Sequence, residues 1–422
     1  MSCYSVVHLS HSNVGGASTA SQRLHALLQE HNVSSTLAFK WKSSFSADGN
    51  QLNHRNRTQF LSRLVERLFA LPFKVLQPVQ YHSLCLVTDI DLTQLSSLGD
   101  IVHLHWPHGS TLSIEDYTKL NKPIVITLHD CWFFCGAEHH FNQQSPAHPF
   151  NDYHLRFSFS LFRQYLLALL NAHTYQRKKL AWKSLNATFI APSLWILQLA
   201  KQSPLLSGMN IIYCPNPIAP HFFQVRPRNQ RVRQLFSDPD LPILLLPVAD
   251  VLDRNRPYLR ALSLLLDQAE RLSTLTFNVL IISHSAIQVS PPRNVQICQA
   301  ALSLFGDSLY NILSSCDLLF YPSLADNLPQ LCIEATTQGL PIVGFNTGGV
   351  PETIPTSEHS NLVPCGNFPS LIDKTLELLA RPKLLQSQSK AALSHFDKDF
   401  NLRILNTITN CYADSFSNYY SR

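Results

Sequence analysis

Short β-prone runs alternate with helical patterns along the whole chain, and this alternation restricts the fold more than any other feature of the sequence. The first predicted strand is Ser5 to Leu9, followed by a polar, glycine-containing loop from His11 to Ser18 and a helix from about Ala20 to Glu30. Strand-like runs recur at Ile101 to Leu104, Ile124 to Thr127, Ala187 to Ala191 and Ile211 to Tyr213, with helical patterns between most of them. Such alternation predicts an α/β chain whose sheet is mainly parallel and covered by helices on both faces.

A second series of the same kind starts at Ile243 to Val248 and continues through Asn278 to Ile282, Leu318 to Tyr321 and Ile342 to Phe345. Between the two series, the segment Cys214-Pro-Asn-Pro-Ile-Ala-Pro220 holds three prolines, which donate no N–H and turn their predecessors away from helix. Two domains are expected on length as well, because 422 residues exceed the roughly 250 to 300 at which one core stops growing. The boundaries predicted are 1–215 and 216–394, with 395–422 forming a terminal helix that packs back on the N-terminal domain. Phe60 to Leu71 and Leu155 to Trp182 carry Leu and Phe among Arg and Lys at helical spacing. Packing on the core is the ordinary role of such amphipathic helices, and docking on a bilayer the rarer one.

The bulk properties remove several function classes. No run of about 18 apolar residues free of charge exists to span a membrane. The ten cysteines are scattered, and the start MSCYSVVHLS lacks the features of an export signal, so a reducing, cytoplasmic setting is expected. Cys131 and Cys135 form a lone C-x3-C, weak support for zinc. The net charge of +5 is uneven: residues 1–215 hold 17 Lys/Arg against 11 Asp/Glu, and residues 216–422 hold 16 against 17. A basic front half fits peripheral contact with an anionic inner-membrane surface or a phosphate-bearing acceptor, a solvated surface being the plainer reading. No nucleic-acid partner is expected.

The chemistry concentrates between Tyr321 and Glu352, which reads as strand, loop, helix, strand, loop. Pro329 suits the first helical position, and Gly339 followed by Pro341 makes a stop. Backbone N–H groups from Leu328 to Leu331, with Asn327 just before them, would open toward the carboxyl edge of the sheet, where an anion such as a diphosphate binds well. Asp326 precedes this helix and Glu334 lies inside it, with seven residues between them, so that each can accept a hydroxyl on its own side of a diphosphate. Gly348 and Gly349 would let a second loop approach the ligand unobstructed.

An acidic residue, seven residues and a glutamate, then G-x-P and G-G-x-P-E, resembles the donor site of family 4 glycosyltransferases. The front half adds Gly15-Gly16-Ala17 with Arg23-Leu24-His25, then Ile101-Val-His-Leu-His-Trp-Pro-His-Gly109 and Lys122-Pro-Ile-Val-Ile-Thr-Leu-His-Asp-Cys-Trp132. These resemble a subgroup that builds colanic acid and related exopolysaccharides. The resemblance implies a GT-B fold, two Rossmann-like domains facing each other across a cleft, and a retaining hexosyltransferase. A UDP- or GDP-sugar would be the donor substrate, a glycan or lipid-linked molecule the acceptor, and no further cofactor or metal is implied. It also implies that His129 meets the donor sugar and that Gly15 and Gly16 lie beside the donor phosphates. In the family a lysine follows the donor domain's first strand; here the loop reads Asp253-Arg-Asn-Arg-Pro257, and Arg256 takes the lysine's place by position, with Arg254 a weaker substitute. The family usually has Glu where this chain has Asp326, and the subgroup a Gly-Gly-Cys-His-Tyr type segment where it has Phe133-Phe-Cys-Gly-Ala-Glu-His-His140.

Plainer roles stand beside these. Asp326 is also suited to capping the following helix, Glu334 to a solvated face, Arg256 to a surface, and Gly15 and Gly16 to the turn alone. His103, His105 and His108 suggest a metal cluster, yet no carboxylate accompanies them at metal-site spacing, and packing or acceptor contacts are expected. The rival functions are a nucleotide-sugar epimerase on the same fold and a non-catalytic sugar-nucleotide-binding scaffold.

Overall fold

The computed structural model of the chain describes residues 4–42, 49–53, 64, 68–69, 71, 82–140, 162–248, 256–283, 286–301 and 307–421. Contacts divide it into two units, Met1–Pro217 with Asp399–Arg422, and Ile218–Lys398. The break falls two residues beyond the expected 215.

The first unit holds seven strands: β1 (Val6–Ser12), β2 (Ser35–Trp41), β3 (Asn50–Gln51), β4 (Ile101–His105), β5 (Ile124–Thr127), β6 (Ala187–Ala191) and β7 (Asn210–Tyr213). All pair in parallel, in the order β3-β2-β1-β4-β5-β6-β7. The chain builds outward from β1, then crosses back to lay β4 on its other side. Loops at the carboxyl ends of β1 and β4 therefore diverge, and the crevice so left is where sheets of this kind take ligands.

The second unit repeats the plan with β8 (Ile243–Val248), β9 (Phe277–Ser283), β10 (Val295–Ala301), β11 (Leu318–Tyr321), β12 (Ile342–Asn346) and β13 (Leu362–Pro364). Their order is β10-β9-β8-β11-β12-β13, again all parallel, with the reversal between β8 and β11. Central strands in parallel sheets are covered on both faces and read as unbroken apolar runs. Leu244, Leu245 and Leu246 of β8 and Val279, Leu280 and Ile281 of β9 are accordingly fully buried. No sequence signal had marked β2, β3, β10 and β13.

The terminal helix spans Phe400–Tyr420, beginning five residues later than the expected 395, and it belongs to the first unit. Its Ile404, Leu405, Ile408, Cys411 and Tyr412 share one apolar cluster with Val6, Leu24, Leu28, Ile101, Val125 and Ile190. Tyr4 Oη donates to the Thr409 carbonyl at 3.0 Å, tying the start of the chain to its end. The stretch Phe60 to Leu71 lies almost wholly outside the described residues. Of Leu155 to Trp182, the helix Phe162–Ala181 is described, and its buried Lys178 donates to the carbonyls of Trp132, Cys135 and Gly136, the last at 2.6 Å. Among the described residues no helix is long and apolar enough to cross a membrane.

Candidate functional site

In the second unit, the loop after β11 and the loop after β12 dock on each other at the carboxyl edge of the sheet. Gly349 N–H donates to the Asp326 carbonyl at 3.2 Å, and Thr347 Oγ1 donates to the Leu324 carbonyl at 3.0 Å. Gly348 sits at φ +54°, and a Cβ there would lie 1.5 Å from the Asp326 carbonyl oxygen. The space it leaves is thus filled by protein backbone.

Asp326 is half-buried, and its carboxylate accepts from Tyr321 Oη at 2.6 Å. Burial pushes its pKa up to about 6, against the Tyr321 hydroxyl and the Asn327 N–H, which favour the charged form. It does not cap the next helix. That helix spans Gln330–Thr337, with Pro329 in the capping position and no side-chain cap. Pro329 has ψ 115°, extended, so the helix starts one residue later than predicted. Cys332 and Ile333 N–H both turn back to the Pro329 carbonyl, at 3.1 and 3.2 Å. Asn327 and Leu328 are buried and Leu331 is half-buried. Glu334 is 4% exposed, which removes the solvated-face reading. Gly339, at φ +70°, supplies the left-handed residue that ends the helix. Arg256 is the first residue of the helix Arg256–Arg271, opening just past the loop after β8; Asp253 and Arg254 lie outside the described residues.

In the first unit, Gly15 takes φ +98° at the start of the helix Gly16–Glu30, a backbone conformation that strains any residue with a side chain whatever the space around it. Gly15 and Gly16 are exposed, with nothing within 4 Å of where a Cβ would stand. His129 is half-buried just past β5, and its Nε2 lies 3.1 Å from His105 Nδ1. Burial lowers its pKa to about 4, with Asp130 pulling the other way.

Two histidine clusters lie beside it that sequence spacing did not assemble. His8, from β1, joins His103 and His105, all buried and without a carboxylate. His108 joins Asp130 and His139, which corrects the expectation that no carboxylate accompanies these histidines. Asp130 accepts from His139 Nδ1 at 2.5 Å, from Trp106 Nε1 at 2.7 Å and from the Trp132 N–H at 2.9 Å. Burial alone would raise its pKa, but the charge and hydrogen bond of His139, with His108 and His140, hold it well below the usual carboxylate range. His139 Nε2 pairs with Ser83 Oγ at 2.8 Å, so Asp130 and His139 form a hydrogen-bonded pair knitting the segment 130–139 to its surroundings, while His108 Nδ1 faces Cys85 Sγ at 3.8 Å. Either cluster has the donor atoms for a metal ion, within 4.8 Å of one another, although most of these atoms already serve hydrogen bonds.

Comparison with known proteins bears on the fold. Residues 300–395 match the family of glycosyl transferases group 1. Among solved structures, HepE of Anabaena in complex with UDP and glucose aligns with TM-score 0.61 at 12% identity, covering 96% of this chain and all of that one. Sucrose-phosphate synthase of Thermosynechococcus elongatus aligns with TM-score 0.62 at 14% identity, over 97% and 99% of the two chains. WaaG, a glycosyltransferase involved in lipopolysaccharide biosynthesis, aligns with TM-score 0.57 at 13% identity, over 96% and 99%. No curated protein sequence matches the chain. At such identities the likeness carries the fold, and with two doubly wound parallel sheets that fold is GT-B.

Proposed function

We propose that this protein is a retaining glycosyltransferase of the family 4 kind, moving a hexose from a nucleotide-sugar donor to a glycan or lipid-linked acceptor. Exopolysaccharide or other cell-surface glycan synthesis, at the cytoplasmic face of the inner membrane, is the role that fits the motifs of the front half. The observation that carries the reading is the group Asp326, Asn327 and Glu334 around a helix start without a side-chain cap, inside the segment that matches group 1 glycosyl transferases. UDP-glucose is the first donor to try, since the Anabaena protein of the same fold was solved with UDP and glucose.

In this reading the acceptor hydroxyl oxygen bonds to the anomeric carbon from the face the diphosphate leaves, and the hydroxyl proton departs with the leaving group. Charge develops on the diphosphate oxygen as that bond breaks. The N–H groups near Leu328 and Leu331, the Gly15-Gly16 turn and Arg256 supply dipoles and a cation to stabilise it without a metal ion. With a pKa of about 6, Asp326 is largely ionised at neutral pH and accepts a sugar hydroxyl. His129 orients the same sugar, and Glu334 accepts from the ribose.

Thermal unfolding of the whole chain with UDP-, GDP- and ADP-hexoses, followed by incubation of labelled donor with and without candidate acceptors, tests the proposal. A donor at about 100 times its Kd stabilises the native state by about 2.7 kcal/mol, and label should pass only to an added acceptor. Isomerised donor without acceptor would establish an epimerase. Absence of any nucleotide-dependent stabilisation would remove the donor site.

A further inference from the structure

Three imidazoles stand in a row on one face of the first unit's sheet. His8 Nδ1 lies 3.1 Å from His105 Nε2, and His105 Nδ1 lies 3.1 Å from His129 Nε2. The parallel register produces this row: His8 on β1 sits opposite His103 on β4, and His105, two residues on, points to the same face. His103 lies against His105 with ring centroids 4.0 Å apart and planes tilted by 40°, but its own nitrogens go to Tyr412 Oη at 2.6 Å and Thr127 Oγ1 at 2.7 Å. It flanks the row without joining it.

Burial keeps all three members neutral at physiological pH. His8 is lowered to about 3 by burial and then by His25, and His129 to about 4 by burial against the pull of Asp130. His105 is lowered by burial, then by His103, His8 and His129. A neutral imidazole has one N–H and one lone pair, so each ring's choice dictates its neighbour's and only two proton orders are possible. They differ at the ends. In one, His8 carries its proton on Nε2; in the other, on Nδ1.

His8 is fully buried, and its Nε2 has no hydrogen-bond partner. A buried N–H without an acceptor is the rarer and costlier orphan, compared with an acceptor left short of a donor. The proton therefore belongs on His8 Nδ1, which donates to His105 Nε2; His105 Nδ1–H donates in turn to His129 Nε2. We infer that His8 and His105 are positioning residues that hold His129 in the tautomer with its proton on Nδ1, so that it meets the sugar donor as a hydrogen-bond donor. The use of this tautomer rests on the proposed contact between His129 and the donor. The proton order itself does not.

Imidazole nitrogen spectra of the full-length chain, labelled with 15N histidine and assigned by single histidine substitutions, read the tautomers directly. His129 should carry Nδ1–H, the form an isolated histidine disfavours in water, and His105→Phe, which leaves neither a donor nor an acceptor opposite His129 Nε2, should relax it to a mixture of the two forms. In His8→Leu, where His105 loses its inner donor, a mixture of the two forms is expected, which serves should His105→Phe fail to fold. Steady-state kinetics should show the KM for the sugar donor rising about five- to tenfold in His105→Phe, the loss of one hydrogen bond, with kcat little changed. An Nε2–H signal for His129 in the unsubstituted protein, or a tautomer unmoved by both substitutions, would overturn the inference. An ordered row with an unaltered KM would uphold the proton order and remove His129 from the donor site.

Discussion

Asp326 is pulled two ways, since burial favours its neutral form while the Tyr321 hydroxyl and the Asn327 N–H favour its charge. The balance near 6 has a sign that can be tested. If the ionised form takes the sugar hydroxyl, donor affinity improves as pH rises through about 6. Tyr321→Phe removes a bond that lowers the pKa, so the acid limb of kcat/KM should move to higher pH, by up to about one unit if that bond is worth about 1 kcal/mol. A limb that stays in place, or moves down, would show that Asp326 does not govern it. The motif around Asp326 was legible as a local pattern, a loop residue with Glu334 inside the helix that follows. Tyr321 as its partner, and His8 and Asp130 as members of clusters, were not. Such partners are set by strand register and loop closure, and residues about a hundred positions apart, like His8 and His105, meet only after the sheet has formed.

Among elements, β8 was legible from its uninterrupted apolar run, whereas β2, with its buried Lys40, and β10, with Gln296 and Gln299, lacked that signature. Lys40 is tolerated because Asp89 lies 3.1 Å away and the Gly109 and Ser110 carbonyls accept from it. The glycine pair after β12 was legible as a pattern, whereas the loop contact at Gly348 was not. At Gly348 the two loops of the second unit touch backbone to backbone, so Gly348→Ala should cost about 2 kcal/mol or more and lower the melting point by roughly 5 °C. Donor affinity should fall with it, because the displaced segment carries Asp326. Gly16→Ala, in open space at a helix start, is the control and should leave the melting point nearly unchanged. Equal effects from the two alanines would contradict the tight contact.

At the scale of the whole molecule, two units were legible from the two strand series and the proline segment between them. That the last helix belongs to the first unit rests on side chains more than 300 residues apart, such as Tyr412 and His103. Five apolar residues of that helix complete the first unit's cluster, a contribution on the order of 10 kcal/mol, comparable to a typical domain's entire margin. Deleting residues 399–422 should therefore leave 1–217 open to limited proteolysis while 218–398 resists, and equal resistance of both would show that the helix is dispensable. The same connectivity imposes an order on biosynthesis. A ribosome delivers the opening 217 residues long before their closing piece, so a bare apolar face must wait while an entire intervening globule is translated and settles. The nascent first half therefore keeps that face uncovered until residues 400–420 have been made.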